Sequence, residues 1–179
     1  MASWSALLER RTGMQAIWRD HLETWSDSSV RQTAKAERRK WAAWFFGVPT
    51  VLAAPFLFWH FNLNGVGQIL AGTSIFTGLL FGLLGVVFNM GVTLRKEGEK
   101  FPNAHNLPVA IADLRANITY AIFIGFILSV TLGVAAGVST SPTLAWGWTP
   151  PIAWLFIHLG LTLLMVLRRF RTAFNYITR

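Results

Sequence analysis

The chain has 179 residues, of which 53% are hydrophobic and only 13% are charged. Because a typical soluble domain has about 25% charged residues, this composition excludes an ordinary soluble fold. The absence of cysteine also excludes disulfide bonds, thiolate metal sites and cysteine nucleophiles. All 16 basic and 8 acidic residues lie in three blocks, 1–40, 95–115 and 168–179, so 41–94 and 116–167 carry no charge.

The first block, 1–40, has the pattern of an amphipathic cytoplasmic helical arm. Its large apolar side chains recur at roughly helical spacing, with charged residues between them. The sequence predicts one such helix, or a pair of helices broken near Gly13. Three tryptophans on the apolar side are the candidate contacts with lipid or a partner protein: Trp4, Trp18 and Trp25.

Each charge-free stretch is long enough for two bilayer crossings of about 20 residues. Polar turns at 61–65 and 139–142 divide the two stretches. The predicted spans are therefore 41–60, 66–94, 118–138 and 149–167. A capping box that begins at Ser29 predicts that the helix of the first span starts well before the membrane. Pro49 and Pro55 lie inside that span and are expected to kink it.

The charge distribution predicts the orientation. The three charged blocks have excesses of three, one and four positive charges, which account for the net charge of +8. Since Lys and Arg are retained on the cytoplasmic side, both termini and the loop 95–117 are predicted to be cytoplasmic. The predicted fold is all-α: a multi-pass, four-transmembrane-helix bundle, 41–167, in the plasma (inner) membrane. The tail 168–179 is expected to extend the last helix along anionic lipid through Arg168, Arg169 and Arg171.

Small residues form two repeats in the predicted spans. In the second span, positions spaced alternately by four and three residues are Ala71, Ile75, Gly78, Gly82, Gly85, Asn89 and Val92. In the third span, positions spaced by four are Gly125, Ser129, Gly133 and Gly137. Such surfaces allow the backbones of two helices to approach closely. The two repeats are expected either to pack on each other within one monomer or to mediate homo-oligomerisation.

Ionisable groups are almost absent from the spans, which disfavours ion-coupled transport. His158 lies inside the fourth span and, with Asn89, forms a candidate polar intramembrane site. Haem ligation by His60 and His158 is an alternative, but their predicted depths differ by about two helical turns. A hydrogen-bonded histidine and no cofactor are therefore expected. Because no metal-binding or acid/base motif is present, neither a metal site nor enzymatic activity is expected.

The glycine repeats favour a small homo-oligomeric channel or pore, or a membrane sensor or effector. The layout is similar to that of small four-span components of bacterial defence systems, which implies, by topology alone, a role in bacterial stress or phage defence. The alternative is a non-catalytic membrane scaffold or subunit that anchors a cytoplasmic protein partner. The predicted partners are the lipid bilayer and copies of the chain. Nucleic-acid binding is not expected, because the basic residues adjoin the spans.

Overall fold

The structure, a computed structural model, describes residues 13–24, 34–97, 107–139 and 143–177. Over these ranges the chain is almost entirely helical, which confirms the predicted all-α class. The helices, numbered in chain order, are α1 (Met14–Glu23), α2 (Ala34–Ala53), α3 (Pro55–Phe58), α4 (Val66–Glu97), α5 (Leu107–Val138) and α6 (Thr149–Ile177). A short 3₁₀ turn, Trp146–Trp148, precedes α6.

Four segments of the described chain are long and apolar enough to cross a membrane. They are Arg39–Phe58, Val66–Lys96, Leu107–Val138 and Trp146–Asn175. Their number and order agree with the predicted spans, but α5 begins well before residue 118 and α6 continues past residue 167. Charged residues end an apolar stretch without interrupting the backbone hydrogen bonds of a helix. The helices are therefore longer than the apolar stretches, and the capping box at Ser29 lies outside the described residues.

The two prolines of the first span have different effects. α2 continues through Pro49, whereas a break at Ala54 separates α2 from α3, whose first residue is Pro55. The missing amide hydrogen of a proline leaves the carbonyl four residues earlier without its helical donor. For Pro49 that carbonyl belongs to Phe45, which accepts a hydrogen bond from another helix, described below. Ala54 keeps helical backbone angles, and its amide still donates to the carbonyl of Thr50 at 3.0 Å. The kinks expected at Pro49 and Pro55 therefore stay predictions.

The long helices pack as a row and not as a closed square. Helix α4 packs against α5, α5 against α6, and α6 against α2, while α1 packs against α5. Among the described residues, α4 and α2 therefore occupy the two ends of the row. Each end helix has one packed side, and the other sides remain exposed.

The core lies around α5. Four of its aliphatic side chains have no exposed surface: Leu114, Ile118, Leu128 and Leu132. Helix α4 covers one side of α5 with four buried residues spaced seven apart, Val66, Thr73, Leu80 and Val87. A seven-residue spacing keeps these side chains on one face of the helix. The remaining faces of α4 are left outside the core.

At the opposite end from α1, the two connecting segments are joined to each other. The amide of Leu144 donates to the carbonyl of Leu63 at 2.9 Å. The hydroxyl of Thr149 donates to the carbonyl of Phe61 at 2.7 Å. These bonds hold the start of α6 against the turn that follows α3, which positions α6 along α2.

Candidate functional site

The strongest concentration of buried polar groups lies where α1 meets α5 and α6. Helix α1 begins after Gly13, whose φ of 59° suits a residue without a side chain. His21 and Thr24, at the other end of α1, are buried. Arg19 and Glu23 lie on its exposed side, with a nitrogen–oxygen distance of 3.9 Å. The amphipathic pattern of α1 therefore turns a histidine, and not only apolar side chains, toward the protein.

His21 is held by a hydrogen bond to α5. Its Nδ1 lies 2.8 Å from Oδ1 of Asn117, and Nδ2 of Asn117 donates to the carbonyl of Asp113 at 2.9 Å. Because Nδ2 is the donor of that amide, Oδ1 is the acceptor and Nδ1 of His21 carries the proton. Burial lowers the pKa of His21 from 6.5 to about 4, an effect that the bond with Asn117 opposes and the nearby His158 reinforces. His21 is thus neutral at pH 7.

Tyr120 connects the two buried histidines. Its ring stacks on that of His21, with centroids 3.8 Å apart and planes 11° apart. Its hydroxyl lies 2.8 Å from Nε2 of His158. Nδ1 of His158 lies 3.1 Å from the carbonyl oxygen of Phe45, which can only accept, so Nδ1 is the donor. Nε2 therefore accepts from Tyr120, and both ring nitrogens of His158 are bonded.

The partner of His158 on α2 exists because of a proline. Pro49 has no amide hydrogen, so the carbonyl of Phe45 is left for His158. Aromatic rings surround the same histidine: Trp154 stacks at 4.9 Å and Phe46 at 5.3 Å between centroids. The indole nitrogen of Trp154 also donates to the hydroxyl of Thr50 at 3.1 Å. His158 is thus positioned by three helices, α2, α5 and α6.

An ion pair closes the cluster at its α1 end. Nη1 of Arg169, on α6, lies 2.8 Å from Oδ2 of Asp113, on α5. The second guanidinium nitrogen, Nη2, donates to the carbonyl of Thr24, the residue that caps the C-terminus of α1. A cation at a helix C-terminus is also favoured by the helix dipole. Arg169 therefore joins α1, α5 and α6, and it faces the chain itself and not only lipid.

The two small-residue repeats have different positions. Gly78, Gly82, Gly85 and Asn89, here called the α4 seam, are all exposed. A Cβ atom built on any of its three glycines meets no described atom within 4 Å. On α5, by contrast, a Cβ built on Gly125 would lie 2.5 Å from the hydroxyl oxygen of Thr77 on α4.

The rest of the α5 repeat is packed less tightly. The side chain of Ser129 is half-buried, while Gly133 and Gly137 are exposed with no described neighbour within 4 Å of a built Cβ. The two helices thus meet at Gly125, and the repeats do not pack on each other along their length.

The other predicted contacts are dispersed. Trp18 packs between Phe46 of α2 and Tyr120 of α5, with centroids 5.5 and 5.7 Å away. Arg168 and Arg171 are exposed on α6. Trp4 and Trp25 lie outside the described residues. His60 is exposed and its ring lies 4.5 Å from that of Trp146, so it takes no part in the His158 cluster.

Sequence reasoning missed most of this cluster. It selected His158 but not His21, Asn117, Tyr120 or the Asp113–Arg169 pair. A signal existed, because His21 follows Ile17 and Trp18 by four and three residues and so shares their face of α1. Within the described residues, no group of three or more His, Cys, Asp or Glu side chains is arranged to hold a metal ion.

Comparison with known proteins adds no relative. No protein-family model, curated protein or solved structure matches the chain. The interpretation of function therefore depends on the geometry of this chain and on the physical chemistry of its residues.

Proposed function

We propose that the protein is a multi-pass membrane protein that assembles into homo-oligomers through α4 and acts as a small channel or membrane effector. The observation that carries this proposal is the position of the α4 seam. At about 100° per residue in an α-helix, the seam lies nearly opposite the face that Thr73, Leu80 and Val87 bury against α5. The seam is therefore free to meet a second copy without rearranging the monomer.

The chemistry of the α4 seam suits a protein partner better than lipid. Glycines offer no side-chain surface to the hydrocarbon, and Asn89 would expose an unpaired amide there, which is costly. Against a second helix the same residues allow close backbone contact and an interhelical hydrogen bond. The exposed glycines and Asn89 therefore support oligomerisation through α4 and disfavour a monomer with the seam turned to lipid.

A channel is the form of this assembly that we favour. Small residues and Asn89, together with the exposed Gln68 and Ser74 of α4, provide hydroxyl, amide and backbone groups of the kind that line modest pores. The proposed role is non-catalytic, and by analogy of layout it belongs to bacterial stress or phage defence. The scaffold alternative needs α1 to be available to a partner, whereas the buried face of α1 is occupied by α5.

The proposed location is the plasma (inner) membrane, with both termini in the cytoplasm. The exposed basic residues at the α1 end of the row, including Lys40, Arg95, Arg115 and Arg168, support it. Reporter fusions after Arg179 should report cytoplasm, and insertions at Asn64 should report the outside. A periplasmic signal after Arg179 would contradict this orientation.

The proposal is tested by Gly82→Leu, because the monomer has room for the new side chain but a neighbouring helix at the seam does not. We expect the variant to insert at normal abundance, to run as a smaller species by native mass spectrometry in mild detergent, and to lose conductance in planar bilayers. The matched control is Gly72→Leu, the same change at another exposed glycine of α4 with no described atom within 4 Å of a built Cβ. At about 100° per residue Gly72 lies about 80° around the helix from Gly82, so this variant should change neither property.

The outcomes separate the alternatives. A Gly82→Leu protein with unchanged mass and conductance would show that the α4 seam faces lipid and would overturn the assembly. A parent protein that is oligomeric but never conducts would favour the scaffold.

A further inference from the structure

Helix α1 packs on α5 and reaches α2 through one tryptophan. Its Trp18 touches Phe46 of α2 on one side and Tyr120 of α5 on the other. Helices α2 and α5 both pack against α6. Tyr120 lies five residues after Arg115, the last charged residue of α5, which at 1.5 Å per residue is about 8 Å along the helix. Helix α1 thus reaches just past the charged end of the row.

Two sets of contacts hold α1 against α5 and α6. Arg169 bonds the carbonyl of Thr24, and His21 bonds Asn117 while stacking on Tyr120. Directly behind Tyr120 lies His158, which has no exposed surface in this arrangement. Removing α1 would therefore open the Tyr120–His158 pair to the solution on that side of the protein.

The surroundings of His21 accept a neutral ring and disfavour a charged one. From α5 it faces Asn117 and Tyr120, with Asp113 one turn away, and from α2 it meets the ring of Phe45. From α6, His158 lies near it, and Arg169 bonds the carbonyl of Thr24, three residues after His21. The one carboxylate in this set, Asp113, is already paired with Arg169 at 2.8 Å. On α1 itself, the charges of Arg19, Asp20 and Glu23 lie on exposed positions.

We propose that α1 is an acid-releasable cover: protonation of His21 undocks α1 and opens the Tyr120–His158 pair to the solution. With the orientation proposed above, that solution is the cytoplasm, so acidification of the cytoplasm is the trigger. The release itself does not require oligomerisation or conductance.

The direction of the pH dependence follows from the linkage between protonation of His21 and docking of α1. The docked pKa of His21, about 4, lies below the exposed value of 6.5, so the undocked state binds the proton more tightly. Docking is therefore fully stable above pH 6.5 and weakens as the pH falls from 6.5 toward 4. A difference of about 2.5 pKa units corresponds to a change of about 300-fold in the docking equilibrium at low pH, and about 80-fold of this change is reached at pH 4.5.

The absence of native cysteine provides a direct assay of release. In Thr24→Cys the thiol lies at a buried position of α1 and becomes reactive only when α1 opens. In Asp20→Cys the thiol is on the exposed side and supplies the reference rate at each pH. With a methanethiosulfonate reagent on protein in nanodiscs, the ratio of the two rates should rise on the order of 100-fold between pH 7.5 and pH 4.5.

The control is His21→Asn in the Thr24→Cys background. The Asn amide places a donor near the position of Nδ1 but does not titrate, so the ratio should change less than about threefold. A ratio that stays constant in the parent would overturn the proposal. So would an equal rise in the His21→Asn protein, which would assign the response to the Asp113–Arg169 pair.

A second measurement decides the matter if His21→Asn already undocks at pH 7.5. NMR titration of the parent with labelled histidine should give His21 an apparent pKa below 6.5, between the exposed value and the docked value of about 4. An apparent pKa near 6.5 would overturn the proposal. Because neither readout uses oligomer mass or conductance, failure here is distinguishable from failure of the α4 assembly.

Discussion

Helices α4 and α5 are the two longest in the described structure and carry similar small-residue repeats, yet they use them in opposite ways. In an apolar stretch of 18 residues of α5, 39% of the residues are buried, against 11% in the corresponding stretch of α4. Among the described residues, α5 packs extensively on α1, α4 and α6, whereas α4 packs extensively only on α5. Gly125 of α5 meets Thr77 inside the monomer, while Gly82 of α4 points away from it.

A small-residue repeat indicates a helix surface suited to close approach, but it does not identify the helix that approaches. Helix α4 has two usable faces, and the one that carries Thr73, Leu80 and Val87 is taken by α5. The side chains on that face fill space, so the glycines are left on the other side. Equivalent substitutions in the two helices should therefore have different consequences.

The largest effect is expected for Gly125→Leu, which should deplete the protein from the membrane. A Cβ at this position would lie 2.5 Å from the Thr77 hydroxyl, which is held by its bond to the carbonyl of Thr73. We expect destabilisation of about 3 kcal/mol or more, measured as membrane abundance and thermal unfolding in detergent. Gly82→Leu, with no such neighbour, should leave both unchanged.

A second substitution, at Thr77, tests whether the contact with Thr77 causes the instability of Gly125 variants. The milder Gly125→Ala should cost about 1–3 kcal/mol, and most of that loss should disappear in a Thr77→Ala background, because only the Cβ at 3.6 Å remains. Equal instability of Gly125→Ala in both backgrounds would contradict the α4–α5 contact at this position.

An intermediate effect is expected for Tyr120→Phe on the buried side of α5. The change removes the donor to Nε2 of His158 and leaves a buried acceptor unpaired, which costs about 1–2 kcal/mol. The stacked ring remains, so α1 should stay docked at neutral pH. Thermal unfolding and the NMR signal of His158 check the prediction.

The control for Tyr120→Phe is Thr131→Val, since the Thr131 hydroxyl only bonds the carbonyl one turn earlier at 2.8 Å. Its unfolding temperature should barely change. A Tyr120→Phe protein indistinguishable from Thr131→Val would mean that the Tyr120–His158 bond contributes nothing to stability.

The smallest effect is expected for Asn89→Leu on the α4 seam. An interhelical hydrogen bond in a membrane contributes about 0.6 kcal/mol on average, so oligomer dissociation should increase about threefold. Monomer stability should be unchanged, because Asn89 is exposed in the monomer. Dilution series in mild detergent measure the dissociation. Stronger association after the substitution would indicate that Asn89 makes no hydrogen bond across the interface.

Part of the buried cluster around Tyr120 could be predicted from the sequence, and part could not. The helical spacing of Asp113, Asn117 and Tyr120 places them on one face of α5, and the burial of His158 between helices could be expected from its apolar surroundings. The partner of His158 could not be expected, since the carbonyl of Phe45 becomes an acceptor only because Pro49 and His158 lie at the same level of two helices. Likewise, a histidine on an amphipathic helix does not reveal whether it faces lipid, water or Asn117.

What the sequence by itself determined is the all-helical class, the number and order of the long apolar helices and the placement of charge between them. These are local properties, because the transfer of each segment from water to hydrocarbon depends on its own side chains and its own backbone hydrogen bonds. The tertiary structure alone decided that Gly125 is internal and Gly82 external, and that His21 meets Tyr120 and His158. Those outcomes depend on which faces of distant helices fit together, and that fit is a property of the packed row and not of any single segment.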